Sequence, residues 1–207
     1  LGKENVIPAA FNYALENKKK VHFIGLVSVV GVHSHINHLK GLLTAANENG
    51  LQDNVFVHAF TDERDCDPHS GEGFIKELLD HMALTTGKLA TVVGRYYAMD
   101  RDKRWERVKL AYDAMVNGVG EKTHDIIAAM QTSYENGITD EFLKPIICLK
   151  ESNLPVAKIE NDDVVFCFNF RTDRGREITE VLSQSDLPDY GMSHLNLYYV
   201  TMTNFDK

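Results

Sequence analysis

The chain has 207 residues, 43% of them hydrophobic and 25% charged, which is enough apolar material for one globular core. Its 22 Lys and Arg against 30 Asp and Glu leave a net charge of -8, an acidic balance that argues against a nucleic-acid groove, which needs a basic face. No apolar run reaches the length of a membrane span, and no secretory signal is visible. Cys66, Cys148 and Cys167 lie far apart without a CxxC pair and read as reduced thiols of a cytoplasmic protein. The opening at Leu1, without a methionine, reads as a processed chain or as a piece of something longer.

Apolar runs of strand length alternate with helical periodicity, the pattern of an α/β domain. Pro8 to Lys18 reads as a helix feeding a strand over Val21 to Val27. Ser34 is placed to cap a helix whose Ile36, Leu39, Leu42, Leu43 and Ala46 form one stripe, ending at Gly50. Val55 to Phe60 is the next strand, Ser70 or Gly71 to Met82 the next helix, and Leu89 to Val93 a third strand stopping at Gly94. Asp102 is placed to cap a helix carrying Trp105, Val108, Tyr112 and Met115. Gly118 to Gly120 breaks that helix, and Lys122 to Tyr134 reads as another. Strands then follow at Ile146 to Leu149, Val156 to Lys158 and Val164 to Phe170, with a helix over Asp173 to Leu182 and a last strand near Leu197 to Thr203. No repeat or Pro/Gly-rich linker divides the chain. The expectation is one domain, residues 1–207, layered α/β/α around a largely parallel or mixed sheet.

The eight arginines fall in three short stretches, namely Arg64, Arg95 to Arg107 and Arg171 to Arg176, whereas the fourteen lysines are scattered. An arginine fork binds carboxylate or phosphate in fixed bidentate geometry, so clustering in an acidic chain points to a focused anion site. The chemistry-bearing residues also sit where predicted strands end: His33, Ser34 and His35 after the first, Asp62 to Asp65 after the second, Gly94 and Arg95 after the third. Ligands of α/β sheets bind at that edge.

Other readings stand beside this one. Arg95 and Arg101 can instead form surface ion pairs with Asp100 and Asp102. Arg104 and Arg107 fit solvated pairing with Glu106 or Asp102. Arg171 and Arg174 suit either an anion contact or a capping role, and Arg176 reads as surface. Asp65, beside Arg64, is an ion-paired loop residue or a positioned general acid/base. His33, His35 and His38 have a spacing that permits zinc, without a carboxylate partner nearby in sequence. His22, His58, His81, His124 and His194 read as structural or surface residues.

The run Gly94-Arg-Tyr-Tyr-Ala-Met-Asp-Arg-Asp-Lys-Arg-Trp-Glu-Arg closely resembles a signature of the cofactor-independent (2,3-bisphosphoglycerate-independent) phosphoglycerate mutases. Gly31-Val-His-Ser-His, Val57-His-Ala-Phe-Thr-Asp-Glu-Arg-Asp, Gly137-Ile-Thr-Asp-Glu-Phe, Phe168-Asn-Phe-Arg-Thr-Asp-Arg and Val200-Thr-Met-Thr match in family order, so the resemblance spans nearly the whole chain. It implies the substrate-binding domain alone, inserted in the full enzyme into an alkaline-phosphatase-like domain absent here. That missing domain would hold the nucleophilic serine and two Mn2+ or Mg2+ ions, leaving no metal ligand and no cofactor in this chain.

The resemblance further implies a glycolytic, cytoplasmic, generally monomeric isomerase. It interconverts 3-phosphoglycerate and 2-phosphoglycerate through a phosphoserine, and the chain alone would be inactive. His33, Arg64, Asp65, Arg95, Arg101, Arg171 and Arg174 match the family's substrate-contacting positions, with Asp65 and His33 in the catalytic roles. The partners implied are the two phosphoglycerates and the phosphatase-like domain of the same polypeptide, with no nucleic acid and no membrane. Two departures stand out. Val29 and Val30 replace the usual Asp-Gly before Gly31, removing a carboxylate and a glycine's freedom, and Glu63 replaces the usual glycine between Asp62 and Arg64. The alternative they raise is a non-catalytic, partly degenerate phosphate-ester binding module.

Overall fold

The computed structural model describes residues 3–29, 35–64, 66–169 and 172–202. In chain order the elements are α1 (Lys3–Asn17), β1 (Val21–Leu26), α2 (Ile36–Glu48), β2 (Val55–Thr61), α3 (Gly71–Leu84), β3 (Lys88–Gly94), α4 (Arg95–Ala98), α5 (Trp105–Asn117), β4 (Glu121–Thr123), α6 (Ile126–Glu135), β5 (Ile146–Cys148), β6 (Val164–Cys167), α7 (Thr172–Ser183) and β7 (Tyr198–Thr201). The strands form one mixed sheet in the order β4-β5-β3-β2-β1-β6-β7. Every pair is parallel except β3 with β5.

Strand alternation sends side chains to two separate cores. Val21 and Phe23 of β1 join Val57, Phe166 and the inner faces of α1, α2, α3 and α6, including Phe11, Leu39, Leu43, Ile75, Leu78 and Met130. Ile24 and Leu26 face the other way and join Phe60, Val93 and Val165 with α5 and α7, through Val108, Tyr112, Met115, Ile178 and Val181. The strands β1 to β3 and β6 are buried along almost their whole length, as a sheet covered on both faces must be. The fold is therefore the layered α/β/α sandwich expected, with a mixed sheet.

Several element boundaries differ from those read from local signals. The cap of α2 is His35, whose Nδ1 accepts the Asn37 N–H at 3.0 Å, not Ser34. The helix placed at Asp102 starts at Trp105 after an Arg104 cap, because Lys103 adopts φ +56° and interrupts the helical backbone. The Lys122 to Tyr134 helix starts at Ile126: Asp125 caps it through the Ala128 N–H at 3.1 Å, and the residues before it pair with β5 as β4. Val156 to Lys158 is not a strand. A turn over Lys150 to Leu154 leads to Pro155, which lacks an N–H, and only a bridge to Leu149 forms. At the N-terminus of α3 the capping carboxylate is Asp140, whose Oδ2 accepts the Gly71 N–H at 2.7 Å. Gly71 is required there, since a Cβ would sit 2.7 Å from Asp140 Oδ1.

At the amino half of the sheet a fully buried polar chain crosses four strands. His22 Nε2 meets Asp163 Oδ2, His22 Nδ1 meets His58 Nε2, and His58 Nδ1 meets Thr91 Oγ1, each at 2.9 Å. One tautomer assignment satisfies all three contacts: each Nε2 carries its proton and Thr91 donates, so both rings are neutral. A register shift between Val57 and His58 brings His58 opposite Thr91. Burial drives His58 well below the usual histidine value and lowers His22. Asp163, despite burial, is held below its ordinary value by the hydrogen bond from His22.

The sign of the linkage follows. The unfolded chain takes up protons on these histidines below about pH 6.5 more readily than the folded one, so their stabilisation is complete above that pH and is lost progressively as pH falls below it towards the lowered folded values. Equilibrium urea unfolding should accordingly give a free energy that declines from about pH 7 to about pH 5. Thr91→Val should cost about 1–3 kcal/mol near neutrality, because His58 Nδ1 is then left unpaired in a dry interior.

Candidate functional site

The strands β3, β2, β1 and β6 are adjacent and mutually parallel, so their carboxyl ends form one edge. After β1 the chain turns through α2 to β2, whereas after β6 it turns through α7 to β7, on the opposite face. The connections thus part between β1 and β6, where an open α/β sheet forms its ligand crevice. Asn169 bridges the two strands there: its Oδ1 accepts the Leu26 N–H at 2.9 Å, while its buried Nδ2 has no partner among the described residues.

Four of the arginines singled out from the sequence are described and belong to this edge. Arg64 follows β2, Arg95 opens α4 directly after β3, Arg101 lies between α4 and α5, and Arg174 is in the first turn of α7 after β6. Arg95 is only 3% exposed, and its Nη1 donates to Asp62 Oδ1 at 2.9 Å. Asp62 is therefore a buried ion-pair partner of Arg95, in place of the surface pairing with Asp100 or Asp102 that the residue order allowed. The same Asp62 oxygen accepts the Arg64 N–H at 3.0 Å, and Arg64 Nε donates to Glu141 Oε1 at 2.7 Å. Arg174 Nη1 reaches the Met99 carbonyl at 3.2 Å, and Met99 in turn donates to the Arg95 carbonyl. Arg64, Asp62, Arg95, Met99 and Arg174 thus form one connected run along the edge, with Arg101 exposed beside it. His33, Asp65 and Arg171 lie outside the described residues.

The remaining basic side chains divide differently. Arg104 makes an exposed ion pair with Asp102 at 3.9 Å, as expected, and Arg176 is exposed. Arg107 does not pair with Glu106 or Asp102. It lies over the Tyr96 ring, 3.8 Å from the centroid, and 4.0 Å from Asp100. Tyr96 also packs on Phe142, so guanidinium and ring brace the short helix α4.

Asp62 and Asp100 are marked in the sequence, but the structural part that buried carboxylates play at this edge is not, and Glu177 is missed altogether. Asp62, Asp100, Asp140, Glu141 and Glu177 are all at most 7% exposed. Asp100 Oδ2 accepts the N–H groups of Asp102 at 3.1 Å and Arg104 at 2.9 Å, and Glu177 Oε2 accepts that of Lys103 at 3.0 Å. Burial pushes the Asp140 carboxyl up to about 6. The segment around Glu141 lies across the end of β3 so closely that a Cβ on Gly94 would be 2.1 Å from the Glu141 carbonyl oxygen. One signal was available: Thr-Asp-Glu-Phe was singled out as a motif, and its two acids are the cap of α3 and the partner of Arg64.

Among the described residues no group of three or more His, Cys, Asp or Glu is placed to hold a metal ion, and His35 Nδ1 is engaged as a helix cap. No described helix is long and apolar enough to cross a membrane. Two grooves lie elsewhere, one around Leu79, Met82, Ile126 and Cys148 and one at the amino end around Lys20, Asn54 and Lys150. Neither is lined by an arginine.

The family model described as "BPG-independent PGAM N-terminus" matches residues 1–207. The chain belongs to this family. It is 58% identical over 207 residues to a 2,3-bisphosphoglycerate-independent phosphoglycerate mutase of Flavobacterium johnsoniae, covering 100% of this chain and 41% of that protein. It is 52% identical over 201 residues to the protein of that name from Parabacteroides distasonis, covering 97% and 39%. A crystal structure of Leishmania mexicana phosphoglycerate mutase at low cobalt concentration superimposes with a TM-score of 0.87 at 30% identity, covering 97% of this chain and 38% of that one. The chain spans about two fifths of the length of the relatives it matches.

Within this member of the BPG-independent mutase family, the two departures fall on the same edge. Val29 is 45% exposed just after β1, an unusual place for a branched apolar side chain. Glu63 sits between Asp62 and Arg64, and its charge helps raise Asp140. The Asp62–Arg95 pair is the most deeply buried ion pair described at the site. Asp62→Ala would remove a buried charge-assisted hydrogen bond to Arg95, so chemical denaturation should show a loss of about 1–3 kcal/mol.

Proposed function

We propose that this chain is the substrate-binding domain of a phosphoglycerate mutase that interconverts 3-phosphoglycerate and 2-phosphoglycerate through a phosphoserine intermediate in glycolysis. In this reading it is inserted into an alkaline-phosphatase-like domain that carries the serine and two Mn2+ or Mg2+ ions. The observation that carries the reading is the convergence of Arg64, Arg95, Arg101 and Arg174 on one edge of the sheet, in a chain matched by the family along its whole length. The assignment of the ions to that other domain rests on the family resemblance, and among the described residues no group of three or more His, Cys, Asp or Glu is placed to hold a metal. When bound there they would supply positive charge to the transferring phosphoryl group.

The chain's own residues do the holding. Arg101 and Arg174, with Arg171, grip the phosphoryl oxygens in forked hydrogen bonds. Arg95, buried against Asp62, fixes the floor of the site and adds positive potential from within. Arg64, steered by Glu141, takes the glycerate carboxylate or a hydroxyl. By resemblance, Asp65 exchanges a proton with the glycerate hydroxyl and His33 orients the substrate or donates to a transferring oxygen. Glycerate is retained between the two phosphoryl transfers, which keeps the second step effectively unimolecular and suppresses hydrolysis. The protein is read as a cytoplasmic monomer.

Titration calorimetry with 3-phosphoglycerate tests this directly. The chain should bind with no turnover at any metal concentration, and Arg174→Ala should weaken binding about tenfold. Absence of binding would defeat the reading, and turnover by the chain alone would defeat the assignment of serine and metals elsewhere.

A second reading, a binding module without catalysis, is favoured by Val29 and Glu63 at the edge itself. The Val29→Asp, Val30→Gly double variant of the full-length enzyme separates the two. A severalfold rise in kcat/KM would show that the valines impair a working mutase, and continued absence of turnover would favour the module.

A further inference from the structure

Two buried carboxyl groups face each other behind the arginines. Asp100, 5% exposed, lies in the segment between α4 and α5, and Glu177, 6% exposed, lies on α7. Each has one oxygen committed to backbone: Asp100 Oδ2 to the N–H groups of Asp102 and Arg104, and Glu177 Oε2 to that of Lys103. Glu177 Oε1 is buried and, as a carboxylate, has no donor. The side chains of Asp100 and Glu177 are within hydrogen-bonding reach of each other. Two bare carboxylates in that position repel, whereas one shared proton converts the contact into a short charge-assisted hydrogen bond and satisfies Oε1.

The surrounding backbone depends on the same contact. Lys103 adopts φ +56°, a left-handed conformation that costs a non-glycine residue energy and persists only where neighbours enforce it. Its N–H is the one held by Glu177. One turn earlier on α7, Arg174 holds the Met99 carbonyl. The exposed Arg101 is therefore flanked on both sides by ties to α7, at residue 99 and at residues 100 and 103.

We propose that Glu177 is a positioning residue of the phosphoglycerate site, sharing one proton with Asp100 so that the Arg101 segment is latched to the helix bearing Arg174. The inference rests on the functional reading above and adds to it how two arginines from different elements are kept in register.

The charged groups facing the pair are Asp102 on the same segment and Arg107 on α5, at 4.0 Å from Asp100; Lys103 and Arg104 face it through backbone N–H groups, while Arg174, one turn before Glu177 on α7, is directed to the Met99 carbonyl. Burial, then the contact with Asp100, pushes Glu177 up to about 7. Asp100 is held below its usual value, against its burial, by Glu177 and the two backbone donors. A raised carboxyl keeps its proton below the folded value and loses it above, so the latch is closed below about pH 7 and loosens as pH rises through it.

The test uses the full-length enzyme. KM and kcat for 3-phosphoglycerate are followed from about pH 6 to about pH 8.5 for the wild type, Glu177→Gln and Glu177→Ala, with the Glu177 carboxyl carbon shift read by NMR. Glutamine is a permanent neutral donor to Asp100 that can still accept from Lys103. It should therefore keep the low-pH affinity and remove the part of the rise in KM above pH 7 that the wild type shows beyond substrate ionisation. Alanine should raise KM about tenfold across the range, with a smaller change in kcat. Identical pH profiles for the wild type and Glu177→Gln, an alanine variant with unchanged KM, or a Glu177 carboxyl titrating near 4.5 would each overturn the proposal. If no variant binds phosphoglycerate, the functional reading fails and the coupling to substrate with it, while the carbon shift still decides whether the proton is shared.

Discussion

Everything at the candidate site depends on four strands running the same way. A parallel pair must be joined by a crossover, and the crossover is right-handed. Stepping from β1 to β2 to β3 therefore places α2 and α3 on one face, and stepping from β6 to β7 in the other direction places α7 on the opposite face. Chain segments distant in sequence are thereby delivered to one edge, and the connections diverge between β1 and β6. Arg64, Arg95, Arg101 and Arg174 meet because of this handedness, before any side-chain contact is considered.

What gives that edge a fixed shape is a set of buried acids. A guanidinium offers five donors but sits on a long flexible stem, so a pocket built from arginines alone would repel itself and lack a fixed shape. Asp62 and Glu141 anchor Arg95 and Arg64, and Asp100 and Glu177 organise the backbone on which Arg101 sits. Each of these acids is itself costly to bury unless it is paired or accepts N–H groups, and each of them is so served. An acidic chain and a focused anion site are therefore compatible: carboxylates taken out of water here act on the arginines and on the backbone, not on solvent.

The α/β alternation, most strand positions and the grouping of arginines at strand ends were legible in the sequence because they follow from local periodicity. The helix beginnings were less so. Ser34 and Asp102 are good caps by residue type, yet the groups in the capping contacts are His35 for α2 and Asp100 for the turn before α5. Asp140 caps α3 from 69 positions away, and the left-handed Lys103 is held by Glu177 from 74 positions away. Those donors and acceptors become neighbours only after the sheet has formed. For the same reason Arg95 read as a surface or ligand arginine, although its buried partner is Asp62, 33 positions earlier. The family signature carried what periodicity could not, because the motifs mark these edges even where their partners are invisible in a single sequence.

The two ends of the sheet treat buried polar groups in opposite ways. At the amino half, Asp163, His22, His58 and Thr91 exhaust one another: every ring nitrogen has one partner, the tautomers are fixed and nothing is left to offer a ligand. Such a closed chain adds specificity of register across four strands and responds only to bulk acid. At the carboxyl edge the accounts do not close. Asp62 Oδ2 and Asn169 Nδ2 have no partner among the described residues, and Glu177 Oε1 requires a proton that a plain carboxylate lacks. Unsatisfied polar atoms are expensive inside a protein and persist where a ligand, a water or a movable proton completes them. Their presence at the edge where the arginines gather, and not along the histidine chain, leaves hydrogen-bonding capacity open there at some cost to the stability of the fold; of these atoms Asn169 Nδ2 is the donor, whereas the carboxylate oxygens call for a water or a proton.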